Sequence, residues 1–159
     1  TSGGQSRSES LRNGINALKG KLKRNDILLI HDSTHPYFDK KAISQLVEIL
    51  KKEKAATLAT HVWDTVYLSD DAGKRIENTL CRSRIAVGAS PEGFQFGILE
   101  DIFNEKTVSE IEGYTSACNL VQEYTKHIPV VWSDKINIKI THQEDFSLYK
   151  NAITYFDKD

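Results

Sequence analysis

Residues 26–36, DILLIHDSTHP, combine a buried-strand pattern with side chains capable of acid, base and metal chemistry. Ile27–Ile30 are consecutive branched apolar residues, which is typical of a strand covered on both faces. Asp32 follows just past the C-terminal end of this strand, where ligands bind in open α/β sheets. A carboxylate there can hold a hard cation beside a phosphate, while His35 shapes the loop. A simple turn-capping role for Asp32 is an equally open interpretation.

Helical and strand patterns alternate around this segment. A first helix is predicted after a capping box formed by Ser6 and Glu9. Its apolar face has helical spacing and consists of Leu11, Ile15, Leu18 and Leu22. A second helix is predicted to begin at the N-cap Asp39. Further strands are predicted at residues 55–62, 129–132 and 136–140, and further helices through 96–103, after 115 and through 146–149. This alternation predicts an α/β fold with a mainly parallel three-layer sheet.

Residues 64–88 have a different pattern, with short β-prone pieces on both sides of a charged turn, SDDAGK. The pieces lie at residues 65–68, 75–76 and 86–88. We predict that they form an antiparallel β-arm over approximately residues 63–90, which projects from the main sheet. The following SPEGF motif, which starts at Ser90, is predicted to turn the chain into the next helix.

Composition limits the class of protein. A length of 159 residues predicts a single domain over residues 1–159. The 21 basic and 22 acidic side chains give a net charge of -1, which argues against nucleic acid or an anionic membrane as a partner. Without a membrane-span or signal-peptide pattern, we expect a soluble, cytoplasmic protein. Cys81 and Cys118 lack metal-type spacing, so free thiols are expected.

Several short motifs follow one another in an order that resembles one enzyme family. They are GGxxRxxSxxNG from Gly3, HDSTHP from His31, VWDTV from Val62, TLCR from Thr79, SPEGF from Ser90, TSAC from Thr115 and NIKIT from Asn137. Together they resemble the cytidylyltransferases that act on methylerythritol phosphate or ribitol phosphate. The resemblance implies a Rossmann-like nucleotidyltransferase fold. It also implies transfer of CMP from CTP to a sugar-alcohol phosphate, release of pyrophosphate and a requirement for a divalent cation, usually Mg²⁺.

The resemblance also implies nucleotide and metal contacts. Gly3 and Gly4 let the backbone approach the nucleotide, although glycines before a helix can equally form a plain turn. Ser10 bonds near the sugar or base of the nucleotide. Asp32 meets the metal and the nucleotide phosphates. Lys139 is a catalytic phosphate ligand by resemblance, and the alternative is a lysine that protects a strand edge.

Acceptor binding is implied for His35, Thr65 and Arg82, together with Lys139. In the family, Thr65 and Arg82 match positions that often reach across a dimer interface from the arm, so a homodimer through the β-arm is implied. From the sequence alone, an ion pair of Arg82 with Glu77 or Asp64 is as plausible.

A second metal-binding acid is implied at Asp134, which can instead simply begin a strand turn.

Three positions and one segment depart from the family pattern. His35 stands where an arginine is usual, Glu92 replaces a glutamine and Ser116 replaces an aspartate. The family's glycine-rich loop, whose arginine and lysine bind the CTP triphosphate, has no counterpart in these residues. We therefore expect the natural folding unit to be longer. The departures leave two alternatives: a degenerate member that binds nucleotide or a partner without turnover, and an α/β interaction domain that dimerises through its arm.

Overall fold

Helices and strands alternate along most of the chain, as the sequence predicts. The computed structural model describes residues 1–133, 135 and 137–156, without the side chains of residues 155 and 156. The helices are α1 (Arg7–Leu18), α2 (Lys40–Leu50), α3 (Phe96–Glu105), α4 (Val108–Ile111), α5 (Ala117–Val121) and α6 (Gln143–Phe156). The strands are β1 (Ile27–Ile30), β2 (Ala55–His61), β3 (Val66–Ser69), β4 (Ile76–Leu80), β5 (Ala86–Gln95) and β6 (Val130–Trp132). Among the described residues, no helix is both long enough and apolar enough to span a bilayer.

A four-stranded sheet in the order β1-β5-β2-β6 lies at the centre of the fold. Strand β2 is parallel to β6, and β5 runs antiparallel to both β1 and β2. Strands β1, β2 and β6 therefore point in one direction, and β5 lies between two of them in the opposite direction. The predicted α/β class is confirmed, with most strands of the sheet sharing one direction. The carboxyl ends of β1 and β2 consequently open on the same edge.

Helices cover both faces of the sheet and complete three layers. Leu46 of α2 is fully buried in one core, against which Ile27 and Leu29 of β1 pack. Leu28 and Ile30 pack against the other core, to which α1, α3 and α5 contribute. Successive side chains of β1 thus enter opposite cores, because strand side chains alternate between faces. This explains the uninterrupted apolar run, and the predicted strand is confirmed.

Residues 86–94 belong to the central sheet, so two predictions for this region are wrong. The piece at 86–88 pairs with β2 instead of extending the arm, and SPEGF is strand rather than a turn into a helix. The register shifts opposite the motif: Thr57 pairs with Glu92, but Leu58 pairs with Ala89. Proline is tolerated in a strand at such a bulge, where its missing N–H has no ladder bond to make.

The projecting arm is an antiparallel hairpin of β3 and β4, as predicted. Val66 pairs with Leu80 at its base. At the tip, the Asp70 carboxylate accepts a hydrogen bond from the Lys74 backbone N–H at 2.7 Å, and Gly73 has a φ of 65°. Only a residue without a Cβ adopts that backbone conformation at little cost. The arm and its base expose several apolar side chains: Trp63, Tyr67, Leu68 and Ile76.

The prediction of a strand at residues 136–140 is wrong for residues 137–140, which have no regular secondary structure. Residue 136 lies outside the described residues. The Ile140 N–H instead donates to the Thr34 carbonyl at 2.8 Å, in the loop after β1. Ile138 and Ile140 are half-buried and Lys139 is exposed. The alternating pattern therefore reflects burial beside a loop rather than strand pairing.

Candidate functional site

A cavity of about 270 Å³ opens where β1 ends. Its lining includes four charged side chains and one imidazole: Arg7 of α1, Asp32 and His35 of the loop after β1, Glu92 of β5 and Lys139 of the 137–140 segment. The fold thus gathers two carboxylates, two cationic side chains and an imidazole from distant parts of the chain. A site with both charge signs can bind a cation and a phosphate together.

Asp32 lies between the cations of this cavity. Its Oδ2 is 3.5 Å from Lys139 Nζ, and its Oδ1 is 4.0 Å from Arg7 Nε. The carboxylate is 40% exposed, so a cation from solvent can reach it. Within the described part of the chain its partners are these cations and the His35 ring, so its carboxylate does more than cap a turn. If Asp32 turned to a metal ion, Arg7 and Lys139 would be released for phosphate.

A hydrogen-bonded relay fixes the loop that carries Asp32. The Asp32 backbone N–H donates to Ser90 Oγ at 2.9 Å, and Ser90 Oγ lies 2.9 Å from His31 Nδ1. His31 Nε2 lies 2.8 Å from the His35 carbonyl oxygen, which can only accept. His31 Nε2 is therefore the protonated nitrogen, and the Ser90 hydroxyl donates to Nδ1. The relay ties β5 to the site and sets the position of the carboxylate.

The His35 ring is buried at the floor of this loop, with only 6% of the residue exposed. Burial lowers the pKa of the imidazole, and the nearby Lys139 charge lowers it further. Asp32 opposes this shift without overcoming it. A neutral ring results at neutral pH, and it cannot make the forked contact of an arginine with phosphate.

Glu92 closes the cavity against α5. Its carboxylate accepts hydrogen bonds from the Ala117 N–H at 3.0 Å and the Cys118 N–H at 3.1 Å. Arg7 lies 3.9 Å away on its other side. Helix N–H groups and a guanidinium both stabilise negative charge, so these contacts stabilise the Glu92 carboxylate in the cavity wall. Burial and, to a smaller extent, the negative charge of Glu92 raise the pKa of the Cys118 thiol, which therefore stays protonated.

Of the predicted nucleotide contacts, Asp32 lines the cavity, whereas Gly3, Gly4 and Ser10 do not. The Gly4 N–H donates to Ser10 Oγ at 2.9 Å, and the Ser10 hydroxyl donates to the Ser6 carbonyl at 2.9 Å. These bonds connect the residues before α1 to Ser10, which lies about one helical turn after Arg7. A Cβ at Gly4 would collide with Glu9, whereas Gly3 has more room.

The predicted acceptor contacts in the arm also lie away from the cavity lining. Arg82 donates to the Trp63 carbonyl, rather than pairing with Asp64 or Glu77 in the described residues. Thr65 lies in the segment that leads into β3. The second predicted metal ligand, Asp134, lies outside the described residues. Within the described residues, no group of three or more His, Cys, Asp or Glu side chains is placed to hold a metal ion.

Arg7 and Ser90 are the functional candidates that the sequence did not single out. Both lie within the motifs given above, but an arginine or a serine at these positions does not by itself indicate a functional role. The usable signal for Arg7 was its place directly after the N-cap Ser6. A helix that starts at the ligand edge of a sheet points its first turn at the site.

Comparisons with known proteins place nearly the whole chain in one family. A family model described as IspD, 2-C-methyl-D-erythritol 4-phosphate cytidylyltransferase, matches residues 1–154. A relative of that name from Clostridium beijerinckii is 32% identical over 149 residues, which is 92% of this chain and 62% of the relative. Another from Clostridioides difficile is 27% identical over 158 residues, which is 99% of this chain and 64% of the relative.

A solved structure described as 2-C-methyl-D-erythritol 4-phosphate cytidylyltransferase from Francisella tularensis has the same architecture. It superposes with a TM-score of 0.78 at 27% identity and covers 93% of this chain and 68% of that one. The chain thus spans less than two thirds of the length of the two relatives, 62% and 64%.

Proposed function

Because the chain belongs to the 2-C-methyl-D-erythritol 4-phosphate cytidylyltransferase family, we propose that it transfers CMP from CTP to a sugar-alcohol phosphate. The observation that carries this proposal is the cavity in which Asp32 lies between Lys139 and Arg7. Nucleotidyl transfer needs positioning and charge neutralisation more than it needs a dedicated nucleophile. This cavity supplies both cationic side chains and a carboxylate for a metal ion.

The reaction exchanges one bond at the α-phosphorus of CTP. An oxygen of the acceptor phosphate forms a bond to that phosphorus while the bond to the bridging oxygen breaks, and pyrophosphate leaves with the bonding electron pair. Lys139 and Arg7 are placed to stabilise the negative charge that builds on these oxygens. Asp32 fits a divalent cation such as Mg²⁺, because its carboxylate is open to the cavity. Such an ion would neutralise the phosphate charge.

Nucleotide recognition is assigned to the segment before α1. Gly3 and Gly4 present backbone without side chains there, and Ser10 is held one turn away by Gly4. This arrangement supports a site where the backbone approaches the nucleotide closely.

The arm is assigned to a homodimer. Thr65 and Arg82 lie outside the cavity of their own protomer, and the arm exposes apolar side chains that a second copy would bury. In a two-fold dimer, each arm would bring these side chains to the partner's acceptor phosphate.

Mixing two inactive variants tests the dimer. Asp32→Asn removes the cavity carboxylate, and Arg82→Ala removes the arm cation. In a two-fold dimer that exchanges protomers freely, about a quarter of the sites in an equal mixture are intact, so about a quarter of the activity should return. An inactive mixture that forms mixed dimers, as seen by native mass spectrometry, would contradict the assignment.

The activity itself is tested by pyrophosphate release. The protein is incubated with CTP, Mg²⁺ and either methylerythritol phosphate or ribitol phosphate. We expect release with one acceptor and not without an acceptor. Thermal stabilisation by CTP in the absence of release with either acceptor would instead indicate a degenerate member that binds nucleotide without turnover.

A further inference from the structure

The His35 ring is buried, and one of its two nitrogens forms no hydrogen bond with the described residues. Only 6% of the residue is exposed, and its Nδ1 has no hydrogen-bond partner among the described residues. Buried polar atoms without partners are rare because they lose their hydration without compensation. The ring lines the same cavity as Asp32, so a ligand in the cavity can complete its bonding.

The nitrogen and the Asp32 carboxylate are close enough to share one ion. His35 Nδ1 lies 4.0 Å from Asp32 Oδ2. Two atoms that bind one metal ion at about 2.1 Å lie at most about 4.2 Å apart, so the observed separation is within reach. The His35 N–H donates to the Asp32 carbonyl at 2.9 Å, which holds both residues in one turn. The pair is therefore organised before any ion arrives.

The Lys139 ammonium lies near the position that such an ion would take. Its Nζ is 3.5 Å from the same Oδ2, which shows that the carboxylate already attracts a cation there. Lys139 is 51% exposed on a segment without regular structure, so it can turn toward a phosphate when an ion enters.

We propose that His35 is a metal ligand, and that its Nδ1 and the Asp32 carboxylate together bind one divalent cation in the cavity. The inference rests on the proposed function and deepens it. Phosphate oxygens of bound substrates would complete the coordination of the ion. His35 would then act on a phosphate through the ion, where an arginine would contact it directly.

A nitrogen ligand changes which ion the site selects. Mg²⁺ prefers an all-oxygen shell, whereas Mn²⁺ and especially Co²⁺ accept imidazole readily. The site should therefore bind Co²⁺ more tightly than Mn²⁺, and Mn²⁺ more tightly than Mg²⁺. With His35→Gln, the preference for Co²⁺ and Mn²⁺ over Mg²⁺ should become smaller, because only the contribution of the imidazole is lost.

Pulsed electron paramagnetic resonance tests the ligation directly. The protein is loaded with Mn²⁺ and CTP, and modulation from nitrogen bound to the ion is recorded. We expect ¹⁴N modulation in the wild type, replaced by the ¹⁵N pattern after growth with ¹⁵N-histidine. This measurement needs no substitution, so it stands even if a variant fails to fold.

Two variants locate the nitrogen. His35→Gln should abolish the modulation and weaken Mn²⁺ binding at least about tenfold. His142→Gln is the matched control, because His142 also lies near an aspartate, with Nδ1 3.6 Å from Asp145 Oδ2, but is exposed. His142→Gln should leave the modulation and the affinity unchanged.

The outcomes separate this inference from the proposed function. Bound Mn²⁺ without nitrogen modulation, a failure to bind Mn²⁺, or modulation that survives His35→Gln would overturn the metal-ligand role. Pyrophosphate release without nitrogen modulation would refute that role alone. Nitrogen modulation that depends on His35, without pyrophosphate release, would support the role and refute the proposed function.

Discussion

Ser90→Ala tests whether the relay behind Asp32 holds the site together. The hydroxyl accepts from the Asp32 N–H and donates to His31 Nδ1, each at 2.9 Å. Its removal leaves both partners without this contact in a half-buried loop. A buried group that loses its partner costs about 1–3 kcal/mol, and partial exposure places each of these near the lower limit. We therefore expect a loss of about 2 kcal/mol in the free energy of unfolding.

Urea unfolding followed by circular dichroism measures this loss. For a chain of this size, about 2 kcal/mol corresponds to a fall in Tm of about 4–8 °C. Ser44→Ala is the matched control, because its hydroxyl donates to the Lys40 carbonyl on the exposed face of α2. Its effect should stay within about 0.5 kcal/mol.

The same variant should lower turnover more than it weakens CTP binding, because the carboxylate is still present but less well positioned. Equal stability losses for Ser90→Ala and Ser44→Ala, with unchanged turnover, would refute the role of the relay.

Three further predictions follow from packing and charge. Gly93→Ala should cost about 1–3 kcal/mol in urea unfolding, because a Cβ there meets Leu50 and lies 3.2 Å from Leu29; an unchanged midpoint would show that α2 shifts freely. Glu92→Gln should cost about 1 kcal/mol, since one carbonyl replaces two oxygens that accept from the start of α5, and equal stability would contradict that contact. Hydrogen bonds from the N–H groups before α6 lower the pKa of Asp145 to about 2. The carboxylate therefore stabilises the folded state above pH 3.8, the ordinary pKa of the group, and this contribution is lost as the pH falls toward 2. A carboxyl NMR titration with a midpoint near 3.8 would contradict this.

Apolar runs, helical periodicity and capping residues predicted several of the helices and strands. The run Ile27–Ile30 and the N-cap Asp39 gave β1 and α2 because their signals are local. Strand β5 was missed because Ser90 and Pro91 are typical of turns, and only the opposing bulge in β2 makes them compatible with a sheet.

The candidate site was predicted only in part, for a similar reason. Asp32 and Lys139 were expected at a ligand site, and the structure brings them within 3.5 Å. The burial of His35, the relay through Ser90 and the place of Arg7 depend on contacts between distant segments. Residue types alone carry no signal for such contacts.

Transfer of labelled CMP tests the central claim most directly. The protein is incubated with α-³²P-labelled CTP, Mg²⁺ and the acceptor that supports pyrophosphate release. We predict that the label appears in a cytidine diphosphate sugar alcohol, that Asp32→Asn and Lys139→Ala each lower transfer at least about 100-fold, and that Asp71→Asn at the exposed tip of the arm leaves it unchanged. Label transfer that persists in Asp32→Asn, or that never occurs with the wild type, would contradict the account.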